Sequence, residues 1–189
     1  TGVSVGPERT GSILERSVEV CAEFLGQRPV LFRAPYCRLT DELVDALWEM
    51  EFLCDASRTI PESGRDVLSP RVLRREGDRT LWELALPRWP DRQGGVMSGY
   101  LWPLLEGKRG PKDYAYLAEA VADACPGGLL QLALHPWHLC VGQDGEMWGS
   151  ERVQSNVERV ARVVRTMARR TDVRLCTLPD YLHGWLERA

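Results

Sequence analysis

The sequence lacks the features that would place the chain across a membrane or on nucleic acid. It contains no apolar run close to the roughly 20 residues that a membrane-spanning helix needs, and residues 1–11 lack the basic-then-apolar order of a signal peptide. Neither charge sign dominates, because 24 Lys and Arg stand against 27 Asp and Glu, for a formal net charge of −3. This balance gives no reason to expect nucleic acid or an anionic membrane as a partner.

Metal-binding and disulfide patterns are also missing from the cysteines. None of the six cysteines belongs to a Cys-x-x-Cys pair, and no spacing resembles that of a zinc ribbon. Several of them end apolar stretches, where a free Cys behaves as a small hydrophobic residue. We therefore favour reduced core thiols in a cytoplasmic protein over a disulfide framework.

What the chain does contain is the composition of an ordinary globular domain, with 44% hydrophobic and 27% charged residues. Its 189 residues suit a single domain, 1–189, with a sizeable core. Periodicity and capping residues predict helices at about 12–25, 40–50, 113–124, 150–169 and 179–186. Apolar runs predict strands at 29–32, 52–54, 81–86, 129–134 and 173–176, separated in part by long irregular loops at 58–79 and 92–111. This alternation predicts an α/β fold with a parallel sheet.

Three ionisable residues directly follow predicted strands: Arg33, Asp55 and His135. In a parallel βα barrel the strand ends converge on the rim where active sites are built. A cation, a carboxylate and an imidazole meeting there could perform acid/base chemistry. Each residue taken alone could equally be a solvated capping residue or a satisfied core histidine. Their occurrence at three comparable places is what points to a site.

Other histidines and aromatic residues lie near the same predicted rim. His135 and His138 are three residues apart, but Pro136 separates them on a segment leaving a strand, which disfavours a metal site formed by this pair. Four tryptophans occupy irregular segments, where their faces could stack on sugar rings or simply fill the core. They are Trp89, Trp102, Trp137 and Trp148.

Four short motifs, in order, resemble those of the polysaccharide deacetylases, the NodB-like carbohydrate esterases. Phe32-Arg33-Ala34-Pro35-Tyr36 resembles the third conserved motif of that family, and Leu25-Gly26-Gln27-Arg28-Pro29 resembles the approach to it. Phe52-Leu-Cys-Asp55-Ala-Ser57 is similar to the tyrosine-Asp-Ser-Ser strand end of the family. Leu132-Ala-Leu-His135-Pro136 is similar to the last motif, Leu-x-x-His. The order and spacing cover residues 10–185.

The resemblance implies a role for each matched residue. His135 would be the general acid that protonates the leaving amine, Arg33 would hold the catalytic carboxylate, and Asp55 would orient His135. The backbone N–H of Tyr36 would stabilise the oxyanion of the tetrahedral intermediate. Leu132 would line the pocket for the acyl methyl group. With Pro35 and Trp137 added, the predicted substrate-binding residues are Tyr36, Leu132, Pro35 and Trp137.

The resemblance also implies a fold, a reaction and a cofactor. The fold would be a partial, distorted (β/α) barrel of the NodB-like type, and the reaction would be metal-assisted removal of an acyl group from an N-acyl sugar or related amide. The expected cofactor is a divalent metal, with zinc as the first candidate. The family's metal ligands come from adjacent Asp residues and a His-x-x-x-His motif, and this chain has no Asp before Asp41 and no His before His135. None of its residues is therefore predicted to bind the metal.

These departures leave three interpretations open. In the first interpretation, the metal-binding half of the fold lies outside this chain, and the chain would then be inactive by itself. The second interpretation is a non-catalytic carbohydrate-binding or scaffold protein on the same fold. The third is an unrelated α/β protein that matches the motifs by chance. A partial barrel would also expose sheet edges, which a homo-oligomeric partner or a missing N-terminal segment would have to cover.

Overall fold

A computed structural model describes residues 6–60, 68–142 and 145–187 of the chain. The helices are α1 (Pro7–Leu25), α2 (Asp41–Glu49), α3 (Trp102–Leu105), α4 (Pro111–Ala124), α5 (Ser150–Ala168) and α6 (Leu178–Leu186). The strands are β1 (Leu31–Phe32), β2 (Cys54–Asp55), β3 (Thr59–Ile60), β4 (Arg71–Glu76), β5 (Arg79–Glu83), β6 (Leu86–Pro87), β7 (Trp89–Pro90) and β8 (Val96–Met97). Two 3-10 turns lie at Pro35–Cys37 and Pro136–Leu139. None of the described helices is both long enough and apolar enough to cross a membrane.

Contacts divide the chain into two compact units. The first unit comprises residues 1–59, 69–85 and 177–189, and the second comprises 60–68 and 86–176. The prediction of a single domain over 1–189 stays a prediction.

The sheet of the first unit has the strand order β1-β2-β5-β4. Strands β1, β2 and β5 are parallel, with Phe32 paired to Asp55 and Asp55 paired to Glu83. Strand β4 runs antiparallel to β5. The α/β class and the parallel sheet are thus confirmed. The described strands do not close into a barrel, so the barrel prediction reduces to a mixed α/β fold with a short parallel sheet.

Helices α1 and α2 pack in the first unit through a shared core. Leu14 and Val18 of α1 are buried in one cluster with Leu47 of α2 and with Phe52. The predicted helix start at residue 12 is wrong, because Pro7 begins α1, where a proline loses no hydrogen bond. The predicted ends are confirmed: Gly26 has φ 69°, which favours glycine, and the Thr40 hydroxyl accepts the Leu43 N–H at 3.3 Å.

Two stretches predicted to be loops contain regular structure. Residues 71–83 form the β4–β5 hairpin, whose turn places Gly77 at φ 56°. The hairpin escaped prediction because β4 is an edge strand dominated by arginine and glutamate, which suits an edge and hides the strand pattern. In the second loop, β8 and α3 replace part of the irregular segment predicted at 92–111.

The core of the second unit lies around α4 and α5. Helix α5 is confirmed, with Val163 and Met167 buried and Val157 exposed. The predicted strand at 129–134 is wrong: its backbone forms only an isolated parallel bridge between Ala133 and Tyr100. Leu130, Leu132 and Leu134 pack against the core instead. The strand predicted at 173–176 is also absent from this described segment.

All six cysteines are free thiols, as expected. Cys54 is fully buried on β2, which confirms the core-thiol prediction at that position. Cys21 and Cys176 are exposed, so the same prediction is wrong for these two.

Candidate functional site

Polar side chains at the ends of β1 and β2 form one buried group in the first unit. Asp55 is 0% exposed. Its Oδ2 accepts the Ser57 N–H at 2.9 Å, and its Oδ1 accepts the Ser57 hydroxyl at 2.5 Å. The Ser57 hydroxyl oxygen in turn accepts the Ala34 N–H at 2.6 Å. Asp55 and Ser57 therefore tie the segment that follows β1 to the segment that follows β2.

Arg33 belongs to the same group. Its Nε donates to the Ala56 carbonyl at 2.8 Å. Burial lowers the pKa of Arg33, and the neighbouring charges of Cys37 and Asp55 oppose that shift. Burial raises the pKa of Asp55, and the hydrogen bonds from Ser57 and the charge of Arg33 act against it. Arg33 and Asp55 thus belong to one group at these strand ends, and their role in a functional site stays a prediction.

Glu83 is a third buried ionisable residue at these strand ends, and sequence reasoning missed it. It is paired with Asp55 across β2 and β5, so the two side chains share one face of the sheet. Glu83 is 1% exposed, and neither carboxylate oxygen accepts a hydrogen bond within the described ranges. The nearest cations are Arg58 and Arg71, whose Nη1 atoms lie 3.5 and 3.8 Å from its Oε2. The sequence signal that could have identified Glu83 is the presence of a charged residue within the apolar run 81–86.

The environment of Glu83 favours its neutral form. Burial raises the pKa of Glu83, the charges of Arg58 and Arg71 oppose the shift, and the carboxylate of Asp55 adds to it. Two adjacent carboxyl groups with raised pKa values hold protons in the folded state at a pH where the unfolded chain has already released them.

We expect this pair to make stability depend on pH. Stability from raised carboxyl pKa values is fully present below the ordinary carboxyl pKa and is lost as pH rises through the raised values. The free energy of unfolding of the wild-type chain should therefore decrease because of this pair as the pH rises from the ordinary carboxyl pKa through the raised values. Glu83→Gln removes one of the two groups, so urea unfolding measured across this range should give a shallower decrease.

Glu15→Gln is the matched control for this measurement, since Glu15 is exposed on α1. The control should reproduce the wild-type slope. Equal slopes for Glu83→Gln and the wild type would contradict the assignment of a coupled carboxyl pair.

In the second unit, five rings form what we call the histidine cluster: Tyr100, Trp102, His135, Trp137 and His138. The exposed ring of His135 stacks on Trp137 with centroids 5.7 Å apart and planes 19° apart. Trp137 is 52% exposed. His138 is buried, with its ring centroid 3.9 Å from those of both Trp102 and Trp137. The cluster therefore presents an imidazole and an aromatic face side by side at the surface of the unit.

The two histidines of the cluster differ in environment. Their ring centroids are 5.0 Å apart. Burial lowers the pKa of His138, and a charge on His135 lowers it further, whereas Glu106 raises it. The Nδ1 of His138 has no hydrogen-bond partner among residues 6–60, 68–142 and 145–187. Burial thus favours the neutral form of His138, and His135 is the solvent-exposed member of the pair.

A close backbone approach holds the histidine cluster together. The Ala133 N–H donates to the Gly99 carbonyl at 3.0 Å, and the Leu101 N–H donates to the Ala133 carbonyl at 2.9 Å. A Cβ on Gly99 would lie 1.7 Å from the Gln131 carbonyl oxygen, so this approach requires glycine. It brings Tyr100 to a centroid distance of 6.3 Å from His135.

The predicted site residues fall into two sets. Arg33, Pro35, Tyr36 and Asp55 lie in the first unit, and Leu132, His135 and Trp137 lie in the second. Arg33 and Asp55 lie in one buried group of the first unit, and the rings of His135 and Trp137 stack on each other in the second. The convergence of Arg33, Asp55 and His135 on a single pocket, and the orientation of His135 by Asp55, stay predictions.

The remaining predicted substrate-binding residues have distinct environments. Tyr36 is 92% exposed and has φ 57°, and Cys37 next to it has φ 55°. The Tyr36 N–H donates to no acceptor in the part of the chain that the structure describes. Pro35 opens the same turn. Leu132 is half-buried and packs against the core of the second unit.

The described residues do not form a coordination site for a divalent metal ion. Across the three described ranges, no group of three His, Cys, Asp or Glu side chains is placed to hold a metal ion. Both oxygens of Asp55 already accept from Ser57, and Glu83 is faced by two arginines. We assign no ligand to this chain, and dependence on a divalent metal stays a prediction.

Comparison with known proteins identifies the fold. No protein-family model matches the chain, and no curated protein matches it. A crystal structure of a Mycobacterium smegmatis protein, provisionally described as a polysaccharide deacetylase, is similar with a TM-score of 0.67 and 18% sequence identity. The similarity covers 97% of this chain and 58% of that one, so this chain spans little more than half the length of its structural neighbour. At this identity the likeness concerns the fold alone, and the chain has the fold of a protein described as a polysaccharide deacetylase.

Proposed function

We propose that this protein is a deacetylase-like hydrolase that removes an acyl group from an N-acyl sugar or a related amide. The observation that carries the proposal is the exposed His135 stacked on the half-exposed Trp137. An imidazole can transfer protons near neutral pH, and an indole face offers a surface for a sugar ring. The similarity of fold to a protein described as a polysaccharide deacetylase supports the reaction class.

The chemistry assigned to His135 is one proton transfer. Hydrolysis of an amide adds the oxygen of water to the acyl carbon, breaks the C–N bond and leaves a proton on the departing nitrogen. In its protonated form His135 would supply that proton as the bond breaks. The ring of His138 lies 5.0 Å from that of His135, and burial favours the neutral form of His138.

The turn at Pro35–Cys37 in the first unit contains the Tyr36 N–H, which the motif resemblance makes an oxyanion donor, and that role stays a prediction. Two successive non-glycine residues with positive φ, Tyr36 and Cys37, cost about 1–3 kcal/mol each. The buried group of Asp55 and Ser57 holds this turn through the Ala34 N–H. A strained, anchored turn with an available N–H at Tyr36 suits a preorganised donor.

Replacement of the predicted acid tests the proposal. In the full-length gene product, assayed with and without added Zn²⁺, His135→Ala should lower acetate release from di-N-acetylchitobiose by about 100-fold or more, the usual loss when a general acid is removed. His183→Ala, which changes an exposed histidine on α6, is the matched control and should keep wild-type activity. Equal activities for the two variants would overturn the role of His135.

A sugar-binding protein without catalysis is the second candidate function. The exposed face of Trp137, next to Trp102 at a centroid distance of 5.9 Å, favours it, because aromatic surfaces bind sugars without any reaction. The two functions differ in one assay. Binding of di-N-acetylchitobiose that is lost in Trp137→Ala, with no acetate released by the wild-type protein, would support binding and exclude hydrolysis of this substrate.

A further inference from the structure

A cleft in the second unit has a basic lining. Its volume is about 430 Å³, which is near the lower end for small-molecule sites. No Asp or Glu is among the described residues that line it. The polar lining residues include Arg88, Gln93, Ser98, Tyr100, Lys108 and Arg109.

Arg109 is fixed in this cleft by a buried carboxylate. Asp91, 4% exposed at its side chain, forms a short ion pair with Arg109 through Oδ2. Its Oδ1 accepts the N–H groups of Gln93 and Gly95, each at 2.8 Å. Because Asp91 is held on both oxygens, Arg109 is oriented and keeps further N–H groups for a ligand.

The other two cations differ in how far they are neutralised. Lys108 forms an ion pair with Glu106 at 3.0 Å. Arg88 is exposed and makes no ion pair with any described residue. The charges of Lys108 and Arg109 are therefore compensated by nearby carboxylates, whereas the charge of Arg88 is not compensated by any described residue.

Tyr100 connects this cleft with the histidine cluster. It lines the cleft, and its ring centroid lies 6.3 Å from that of His135. Its backbone carbonyl accepts the Tyr114 hydroxyl at 2.9 Å, which holds the segment in place. The ring of Tyr100 would thus lie between a molecule bound in the cleft and His135, the proposed proton donor.

We propose that the cleft binds the carboxylate or phosphate of an anionic sugar, the amide of which is presented to His135. Guanidinium groups form paired hydrogen bonds with both kinds of oxyanion. Arg88 supplies the unneutralised charge, and Arg109 supplies an oriented fork. The assignment of a substrate class to the hydrolase rests on the proposed function. The binding of an anionic sugar in the cleft can be measured without any hydrolysis.

Calorimetric titration of the full-length protein tests the binding with defined probes: D-glucuronate, glucose 6-phosphate, D-glucose and inorganic phosphate. The two anionic sugars should bind more tightly than D-glucose, and the stronger of the two identifies carboxylate or phosphate as the group bound. Arg88→Gln should weaken their binding by about fivefold or more, and Arg88→Lys should recover part of it.

Arg162→Gln is the matched control, because it removes the same charge from an exposed arginine on α5. It should bind like the wild type. Binding of both anionic sugars no tighter than that of D-glucose, or equal losses in the two Arg→Gln variants, would overturn the proposal. Inorganic phosphate binding as tightly as glucose 6-phosphate would overturn the assignment to a sugar.

The two proposals fail in different ways. Anion binding that depends on Arg88, in a protein that releases no acetate from any acetylated sugar, would keep the cleft and reject the hydrolase. Acetate release that depends on His135, with no binding of anionic sugars, would keep the hydrolase and reject the cleft.

Discussion

Asp55→Ala is expected to lower the free energy of unfolding by about 3 kcal/mol, because it leaves buried donors without an acceptor. The side chain accepts both the N–H and the hydroxyl of Ser57 at a fully buried position. Loss of the carboxylate also releases the Ser57 hydroxyl, whose oxygen holds the Ala34 N–H. Urea unfolding followed by tryptophan fluorescence measures the loss.

The same variant has a local consequence that a general loss of stability would not produce. The turn that contains Tyr36 is anchored through Ala34, so hydrogen exchange at the hydrogen-bonded amides of Ala34 and Cys37 should accelerate beyond the change expected from global unfolding. Asp45→Ala is the control, since Asp45 is an exposed partner of Arg74 at 2.9 Å. Exposed pairs contribute at most about 1 kcal/mol. A loss in Asp55→Ala no larger than in the control would show that Asp55 does not hold these segments together.

Gly99→Ala is expected to cost about 3 kcal/mol or more, because the added methyl group meets a backbone atom that cannot rotate away. Its Cβ would lie 1.7 Å from the Gln131 carbonyl oxygen and 2.8 Å from the carbonyl carbon. Relief requires separation of the segment around Gly99 from the segment around Ala133, with the loss of their two hydrogen bonds. Thermal unfolding and near-ultraviolet circular dichroism of the histidine cluster would both report it.

Gly149→Ala is the control in the same unit. No atom lies within 4 Å of a Cβ at Gly149, and its φ of −64° suits any residue. The free energy of unfolding should change by no more than about 1 kcal/mol in either direction. Alanine is a slightly poorer N-cap than glycine, but it also restricts the unfolded chain, which favours the folded state. Equal stabilities for the two alanine variants would contradict the close approach at Gly99.

Local signals predicted the helices better than the strands. The Thr40 cap, the Gly26 end and the helix at 150–168 follow from residues that lie within a few positions of each other. Strand formation depends on a partner from elsewhere in the chain. Leu129–Leu134 has a strongly strand-like composition, yet only Ala133 finds a neighbouring strand segment, so the run remains irregular. Polar β4 becomes a strand because β5 lies beside it.

The candidate site shows the same division. The short motifs around Arg33, Asp55 and His135 were readable because each directly follows an apolar run. Glu83 was overlooked because its importance depends on its pairing with Asp55 across the sheet. The cationic cleft was not predicted either, since Arg88 and Arg109 are 21 positions apart in sequence and Tyr100 joins them to His135 only after folding.

By itself the sequence determined the α/β class, most helix positions and the motif residues, because these depend on interactions between near neighbours in the chain. The tertiary structure decided which runs became strands, which carboxyl group lies beside Asp55, and which rings surround His135. Those outcomes depend on hydrogen-bond partners, burial and charges contributed by distant segments. Packing assigns these partners, and no local pattern encodes them.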